Sequence, residues 1–273
     1  MISASVPNNT GNPIGVFDSG VGGLTVVHAL MERLPCEKII YFGDTARVPY
    51  GVKSTETIIG YARQIAGFLL ARDVKMLIVA CNTMSAVAYE EIRRLSAVPV
   101  LDVIEAGADM ALVATKTKRV GVIGTPATIN SEAYTRAIHS RDKEISVFSQ
   151  ACPLFVPLVE EGWLDHPATR LIVREYLAPI LAQRIDTLVL GCTHYPLLKP
   201  LLRETAGPDI MLVDSALAVA EMASRLLQEK GMETPGRVNP EHRFFVTDAP
   251  YRFQKTGESF LGHSLAPLEI VRW

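Results

Sequence analysis

The sequence is poor in several things at once. Its four cysteines, Cys36, Cys81, Cys152 and Cys192, include no CxxC pair and no accompanying cluster of cysteine and histidine, so no zinc or other metal site is indicated. In a chain of 273 residues four thiols are too few for a disulfide scaffold, and each is either a packing residue or a reactive group. No apolar run approaches the roughly 20 residues of a membrane span, and the start, MISASVPNNTGNP, has neither a basic nor an apolar signal region. Excess charge is missing too: 27 Lys and Arg stand against 29 Asp and Glu, a net charge of −2, with no long run of one sign. That balance gives no footprint for nucleic acid or an acidic membrane, and the expected setting is the cytoplasm. With 48% hydrophobic and 21% charged residues, the composition is that of a folded globular protein. Its length fits one large or two medium domains at roughly 150 residues each.

What the chain does contain is a recurring alternation. Short apolar runs such as IGVF (14–17), KIIYFG (38–43), MLIVA (76–80), VPVLDV (98–103), RVGVIG (119–124), TLVLG (187–191) and IMLVD (210–214) read as strands. Between several of them lie stretches of helical spacing: 24–34, 55–73, 85–95, 169–183 and 215–231, the last ending in glycine. Strand, turn and helix in that order predict an α/β fold with mostly parallel sheets. A weak internal repeat is also present. GVFDSG (15–20) matches GVIGTP (121–126), and MLIVACNT (76–83) matches TLVLGCTH (187–194), in the same order and at similar separation. Two halves of like construction are expected, residues 1–105 plus 215–273 and residues 106–214, with FFVTD (244–248) returning to the first. Ligands of open parallel sheets bind beyond the carboxyl ends of the strands, so the crevice between the halves is the expected site.

The chemistry gathers at those strand ends. DSGVGGLTV (18–26) is a glycine turn into a helix, where Gly20, Gly22 and Gly23 let backbone N–H groups approach an anion. Its G-x-G-G spacing is not the dinucleotide fingerprint. Asp18 beside the turn disfavours a phosphate and suits a ligand carrying both charges, such as an amino acid. ACNT (80–83) and GCTH (191–194) each place a cysteine between a strand and an expected helix start, a position that lowers a thiol pKa. Asn82, Thr83 and Thr193 can hydrogen-bond carboxylates, and His194 can exchange a proton near neutral pH. Packing accounts for most free cysteines, and it is the reading for Cys36 and Cys152. Two thiols at equivalent places in facing halves suit inversion of a stereocentre, one removing a proton and the other returning one to the opposite face. Lys53, Lys75 and Lys199 lie near motifs, but none has the context of a pyridoxal-phosphate lysine.

The set IGVFDSGVGGLTV, YFGDTARVPYG, IVACNT and GCTHYPLL, in this order over residues 14–230, closely resembles the glutamate racemases of the aspartate/glutamate racemase superfamily. The resemblance implies two pseudo-symmetric flavodoxin-like domains with the substrate between them. It implies a cofactor-independent isomerase, often a homodimer, that interconverts L- and D-glutamate and supplies D-glutamate for peptidoglycan, the bacterial cell wall that maintains cell shape. By motif it assigns Cys81 to D-glutamate and Cys192 to L-glutamate, with Asp18 and His194 assisting. Substrate contacts fall on Asp18, Ser19, Tyr50, Gly51, Asn82, Thr83, Thr193 and His194. VIGTPAT adds Thr125 and Thr128, and PLVEEG adds Glu160. Met84, after ACNT, replaces a residue that is usually smaller and is expected to narrow the site. The nearest alternative is a racemase of aspartate or another acidic amino acid; single-cysteine relatives and a binding-only protein fit the paired thiols less well. Tyr195 is read as packing near the site.

Overall fold

Consecutive residues of the apolar segments are buried on opposite sides, which requires a sheet covered by helices on both faces. Ile14 and Val16 enter one core and Phe17 another; Met76 and Ile78 follow the first pattern, Leu77 and Val79 the second. The computed structural model describes residues 10–236, 240–265 and 268–273. The first nine residues of the polar start lie outside the described residues.

Strands β1 (Ile14–Asp18), β2 (Ile39–Gly43), β3 (Met76–Val79) and β4 (Val100–Asp102) alternate with helices α1 (Leu24–Arg33), α2 (Thr55–Leu70) and α3 (Asn82–Leu95). Helix α4 (Val103–Ala114) then leads to β5 (Arg119–Gly124), α5 (Pro126–Asn130), α6 (Ala133–His139), β6 (Ser146–Ala151), α7 (Phe155–Glu160), α8 (Pro167–Leu181), β7 (Thr187–Gly191), α9 (Lys199–Ala206) and β8 (Met211–Asp214). Helix α10 (Ser215–Lys230) turns back toward β9 (Arg243–Val246), α11 (Pro250–Leu261) and β10 (Leu268–Ile270). Gly231 closes α10 in the left-handed region at φ 62°, the conformation for which glycine is suited.

One sheet runs β10-β9-β2-β1-β3-β4 and the other β6-β5-β7-β8, with every pairing parallel. The order β2-β1-β3-β4 matches β6-β5-β7-β8 strand for strand, so the short repeat seen in the sequence marks two halves of the same topology. The tail returns to the first sheet through β9, as expected. One core is common to both: Ile14 and Val16 of β1 belong to the same apolar cluster as Leu188 and Leu190 of β7.

The differences from expectation have local causes. VPVLDV is strand only to Asp102, whose carboxylate accepts the N–H groups of Ile104 (2.6 Å) and Glu105 (2.9 Å) and so starts α4 without an intervening loop. Residue 105 therefore falls in the first turn of a helix. Strands β6 and β10 carry no clear apolar run because none of their residues is fully buried at these sheet edges. Lys75, at the start of β3, is fully buried, 2.6 Å from Glu37 and donating to the carbonyls of Thr10 and Met232. This pairing spends the charge on tying chain segments together at the opposite end of the strand from Cys81. Among the described residues no helix is long and apolar enough to cross a membrane.

Candidate active site

At the carboxyl end of β1 the chain binds itself. Asp18 Oδ2 accepts the N–H groups of Gly20 and Gly23, each at 3.0 Å, and the Tyr41 hydroxyl donates to the Gly20 carbonyl at 2.6 Å. Two of the three glycine N–H groups are therefore taken by the chain's own carboxylate rather than left open for a ligand's anion, which corrects the expectation from the glycine spacing. Asp18 Oδ1 is buried and unpaired among the described residues. Burial raises the Asp18 pKa, opposed by the His194 charge, the two glycine N–H groups and the nearby Cys81 thiol.

Cys81 lies two residues beyond β3 and caps α3, and its thiol is 3.5 Å from Ser19 Oγ, to which it donates. The helix start does not lower its pKa. Burial, then the Asp18 charge, push the thiol up to about 12, outweighing the opposing contacts of Met84 and Ser19. Met84 does not narrow the site either, since it is fully buried in the core that holds Phe17 and Val79.

Cys192 ends β7 in an unlike setting. His194 presents Nδ1 to the Cys192 sulfur at 3.9 Å and Nε2 to Glu160 Oε1 at 3.1 Å, while Phe260 packs edge-on to its ring. Burial alone would push the imidazole pKa down, but hydrogen bonds and charge from Cys192 and Glu160 raise it to about 10. The hydrogen bond from His194 in turn holds the Glu160 carboxyl below its ordinary value against burial. The raised pKa favours the imidazolium form, its charge placed between a sulfur and a carboxylate.

Both cysteines face one cavity of about 340 Å³, at the small end of ligand-site volumes. Ser19, Tyr50, Gly51, Cys81, Asn82, Thr83, Thr125, Glu160, Cys192, Thr193 and His194 line it. Two of the residues expected at the site stand behind the wall instead. Asp18 is buried in its nest, and Thr128 is buried behind Thr83 and Thr125, which lie 3.5 Å and 3.0 Å from its hydroxyl. Thr83 of the first half and Thr125 of the second are 3.1 Å apart, so hydroxyls from both halves meet at one wall. The Tyr50 phenol is tied to Asp44, which also accepts from Thr247 at 2.9 Å; burial and Asp44 raise the phenol's pKa. On the far side, Thr25 Oγ1 donates to the Thr193 carbonyl at 3.0 Å and joins α1 to the GCTH turn. Tyr195 is fully buried, donates to the Cys152 carbonyl at 2.9 Å and packs edge-on to Phe155, so the packing reading of its phenol holds. Neither Lys75 nor Lys199, which pairs with Asp214, is among the lining residues.

A family model described as Asp/Glu/Hydantoin racemase matches residues 23–223. The chain belongs to that family. A racemase of Syntrophus aciditrophicus (strain SB), named glutamate racemase, is 67% identical over 261 residues, covering 96% of this chain and 97% of its own. The glutamate racemase of Neisseria meningitidis serogroup A is 56% identical over 260 residues, 95% of this chain and 96% of that protein. The crystal structure of glutamate racemase from Francisella tularensis, solved in complex with D-glutamate, superposes with a TM-score of 0.90 at 46% identity, covering 96% of this chain and 98% of that one.

This racemase site also has parts that the sequence did not announce. Val48, Pro49, Pro126, Pro153, Val156 and Pro157 also line the cavity, and none bears a group that signals chemistry. Pro126 lies within the VIGTPAT motif, and the last three belong to the segment leading to Glu160. A six-residue helix, α7, is too short for its periodicity to be read.

Proposed function

We propose that the chain is a racemase that interconverts L- and D-glutamate by two-thiol proton transfer at the α-carbon, without a cofactor. One observation carries the reading: two cysteines, at the ends of corresponding strands of two like halves, face a single small cavity. The α-C–H bond of L-glutamate breaks as its proton passes to the Cys192 thiolate, forming the S–H bond and leaving the electron pair on a carbanion conjugated with the α-carboxylate. The Cys81 S–H bond then breaks as its proton joins the opposite face, giving D-glutamate; the reverse reaction exchanges the roles. The surroundings suit this division. Cys81, with its pKa pushed up to about 12, rests as a thiol ready to donate, and the His194 imidazolium faces Cys192. In this reading Asp18, buried beside Cys81, assists that thiol in the reverse direction from behind the wall. Asn82, Thr83, Thr125 and Thr193 supply amide and hydroxyl groups for the carboxylates, with Ser19, Tyr50 and Gly51 completing the wall. In this reading residues 1–105 with 215–273 and residues 106–214 are the two domains, and the enzyme is a cytoplasmic homodimer that makes D-glutamate for peptidoglycan.

The direct test follows the circular dichroism of L-glutamate with purified protein and no added cofactor. The signal is expected to decay to zero, with incorporation of solvent deuterium at the α-carbon. A constant signal, with activity restored by pyridoxal phosphate, overturns the reading, and faster turnover of aspartate reassigns the substrate.

The histidine gives a pH prediction. Its folded pKa of about 10 lies above the ordinary 6.5, so the charged form's contribution to stability is complete below about 6.5 and is lost as pH rises through about 10. Conversion of L-glutamate is expected to decline over the same alkaline range as the imidazolium is lost. Glu160→Gln removes one cause of the raised value, so the alkaline limb of kcat/KM is expected to move to lower pH. A limb that stays in place in the variant shows that Glu160 does not maintain the histidine's charge.

A further inference from the structure

Asn82 is the first residue of α3, next to Cys81, and belongs to the cavity wall. Its amide is hydrogen-bonded on one side only. Tyr134 of α6, in the other half of the molecule, donates its hydroxyl to Asn82 Oδ1 at 2.7 Å. Among the buried side-chain atoms without a hydrogen-bond partner in the described residues, Asn82 Nδ2 is the one that belongs to a cavity-lining residue. A buried donor without an acceptor is costly, and such groups in folded proteins call for an explanation.

The tyrosine is held firmly in place. Its ring passes between two glycines. A Cβ on Gly107 of α4 would stand 3.2 Å from Tyr134 Cε1, and one on Gly191, just before Cys192, would stand 3.0 Å from Cε2. A side chain at either position would press on the ring. Tyr134 itself is 2% exposed, and burial raises its phenol pKa, so the group remains an O–H donor throughout the neutral range.

We propose that Tyr134 is a positioning residue for carboxylate recognition: by donating to Oδ1 from the opposite half, it fixes the Asn82 amide with Nδ2 as the free donor for a substrate carboxylate. A terminal amide can present either its oxygen or its nitrogen to a neighbour, and a carboxylate is bound by the nitrogen alone. Donation from the tyrosine to Oδ1 favours the orientation that leaves Nδ2 free before substrate arrives, which reduces the ordering needed on binding. It also makes recognition depend on the two halves being together, because the donor and the amide come from different sheets' helices. This role rests on the glutamate reading above.

A double-mutant cycle tests it. Tyr134→Phe keeps the ring between the glycines and removes the donor. The expected result is KM for both glutamate enantiomers raised about tenfold with kcat changed less than about threefold, the pattern of lost binding rather than lost chemistry. In an Asn82→Ala background the same substitution is expected to change KM by less than about twofold, because the two residues act through one contact. An undiminished effect in that background overturns the proposal, as does a Tyr134→Phe variant that loses melting temperature while its KM is unchanged. A second readout is independent of turnover. In ¹⁵N NMR the side-chain amide signal of Asn82, identified by its absence in Asn82→Ala, is expected to shift when D-glutamate is added to the wild type and to shift less in Tyr134→Phe. Equal shifts in both proteins count against the role. If the wild type leaves glutamate unchanged, the substrate reading itself fails; wild-type turnover with an additive cycle refutes the tyrosine's role alone.

Discussion

Replacing Cys81 or Cys192 with alanine is expected to lower glutamate racemisation by at least about a thousandfold in both directions, since a positioned proton carrier contributes about 10²–10⁴-fold and neither face can use the other's. The two thiols sit at the ends of β3 and β7, which occupy corresponding places in their sheets, and each reaches the cavity from its own half. In the two-thiol scheme, loss of Cys192 leaves the proton of L-glutamate without an acceptor on its face, and loss of Cys81 leaves the carbanion without a donor on the other. Because the substrate and product of a racemase are mirror images, loss of either carrier stops both directions. Cys36→Ala serves as the control, since Cys36 is absent from the cavity wall, and is expected to retain turnover. Near-normal rates in either active-site variant refute the two-thiol scheme. A comparable loss in the control shows that packing, not chemistry, was measured.

Gly22→Ala is expected to reduce activity by at least about a hundredfold and to destabilise the protein by about 1–3 kcal/mol, the range for overpacking a close-packed site. A Cβ at Gly22 would stand 2.5 Å from His194 Nδ1 and 2.6 Å from Cε1, and closer still to Thr193 Oγ1. These neighbours have little room to move. The Thr193 carbonyl accepts from Thr25, and the imidazole is held by Glu160 on one side and packed against Phe260 on another. The added methyl therefore acts on the ring that faces Cys192. Gly60→Ala in α2 is the matched control, because nothing lies within 4 Å of the position its Cβ would take. It is expected to be neutral or to stabilise by up to about 1 kcal/mol through helix propensity. Wild-type activity in Gly22→Ala shows that the two turns do not need this close approach.

Several site features lie far apart in the chain and for that reason escaped the sequence. His194 meets Glu160 across 34 positions, Asn82 meets Tyr134 across 52, and Asp44 meets Thr247 across 203. Asn82 and His194 were read from their motifs, but of the partners they meet only Glu160 was anticipated, and through resemblance rather than spacing. The helix-start argument for the thiols failed at Cys81 for a related reason. It counted a local dipole and had no means of counting burial or the Asp18 charge, which raise the pKa instead. The glycine turn failed in the same manner: its N–H groups were read as free, whereas a carboxylate two and five residues back occupies them.

What the sequence by itself determined is the part governed by neighbours along the chain. Apolar runs of strand length, turns rich in small residues and amphipathic helices specify parallel α/β halves, and the paired ACNT and GCTH motifs place a thiol at corresponding strand ends. Only the tertiary structure decided how those thiols differ. Cys81 is buried against a carboxylate, and Cys192 lies beside an imidazole whose pKa is raised by its contacts with Cys192 and Glu160. Proton affinity depends on solvent exclusion and on charges a few ångströms away in space, and folding brings those groups together from distant segments.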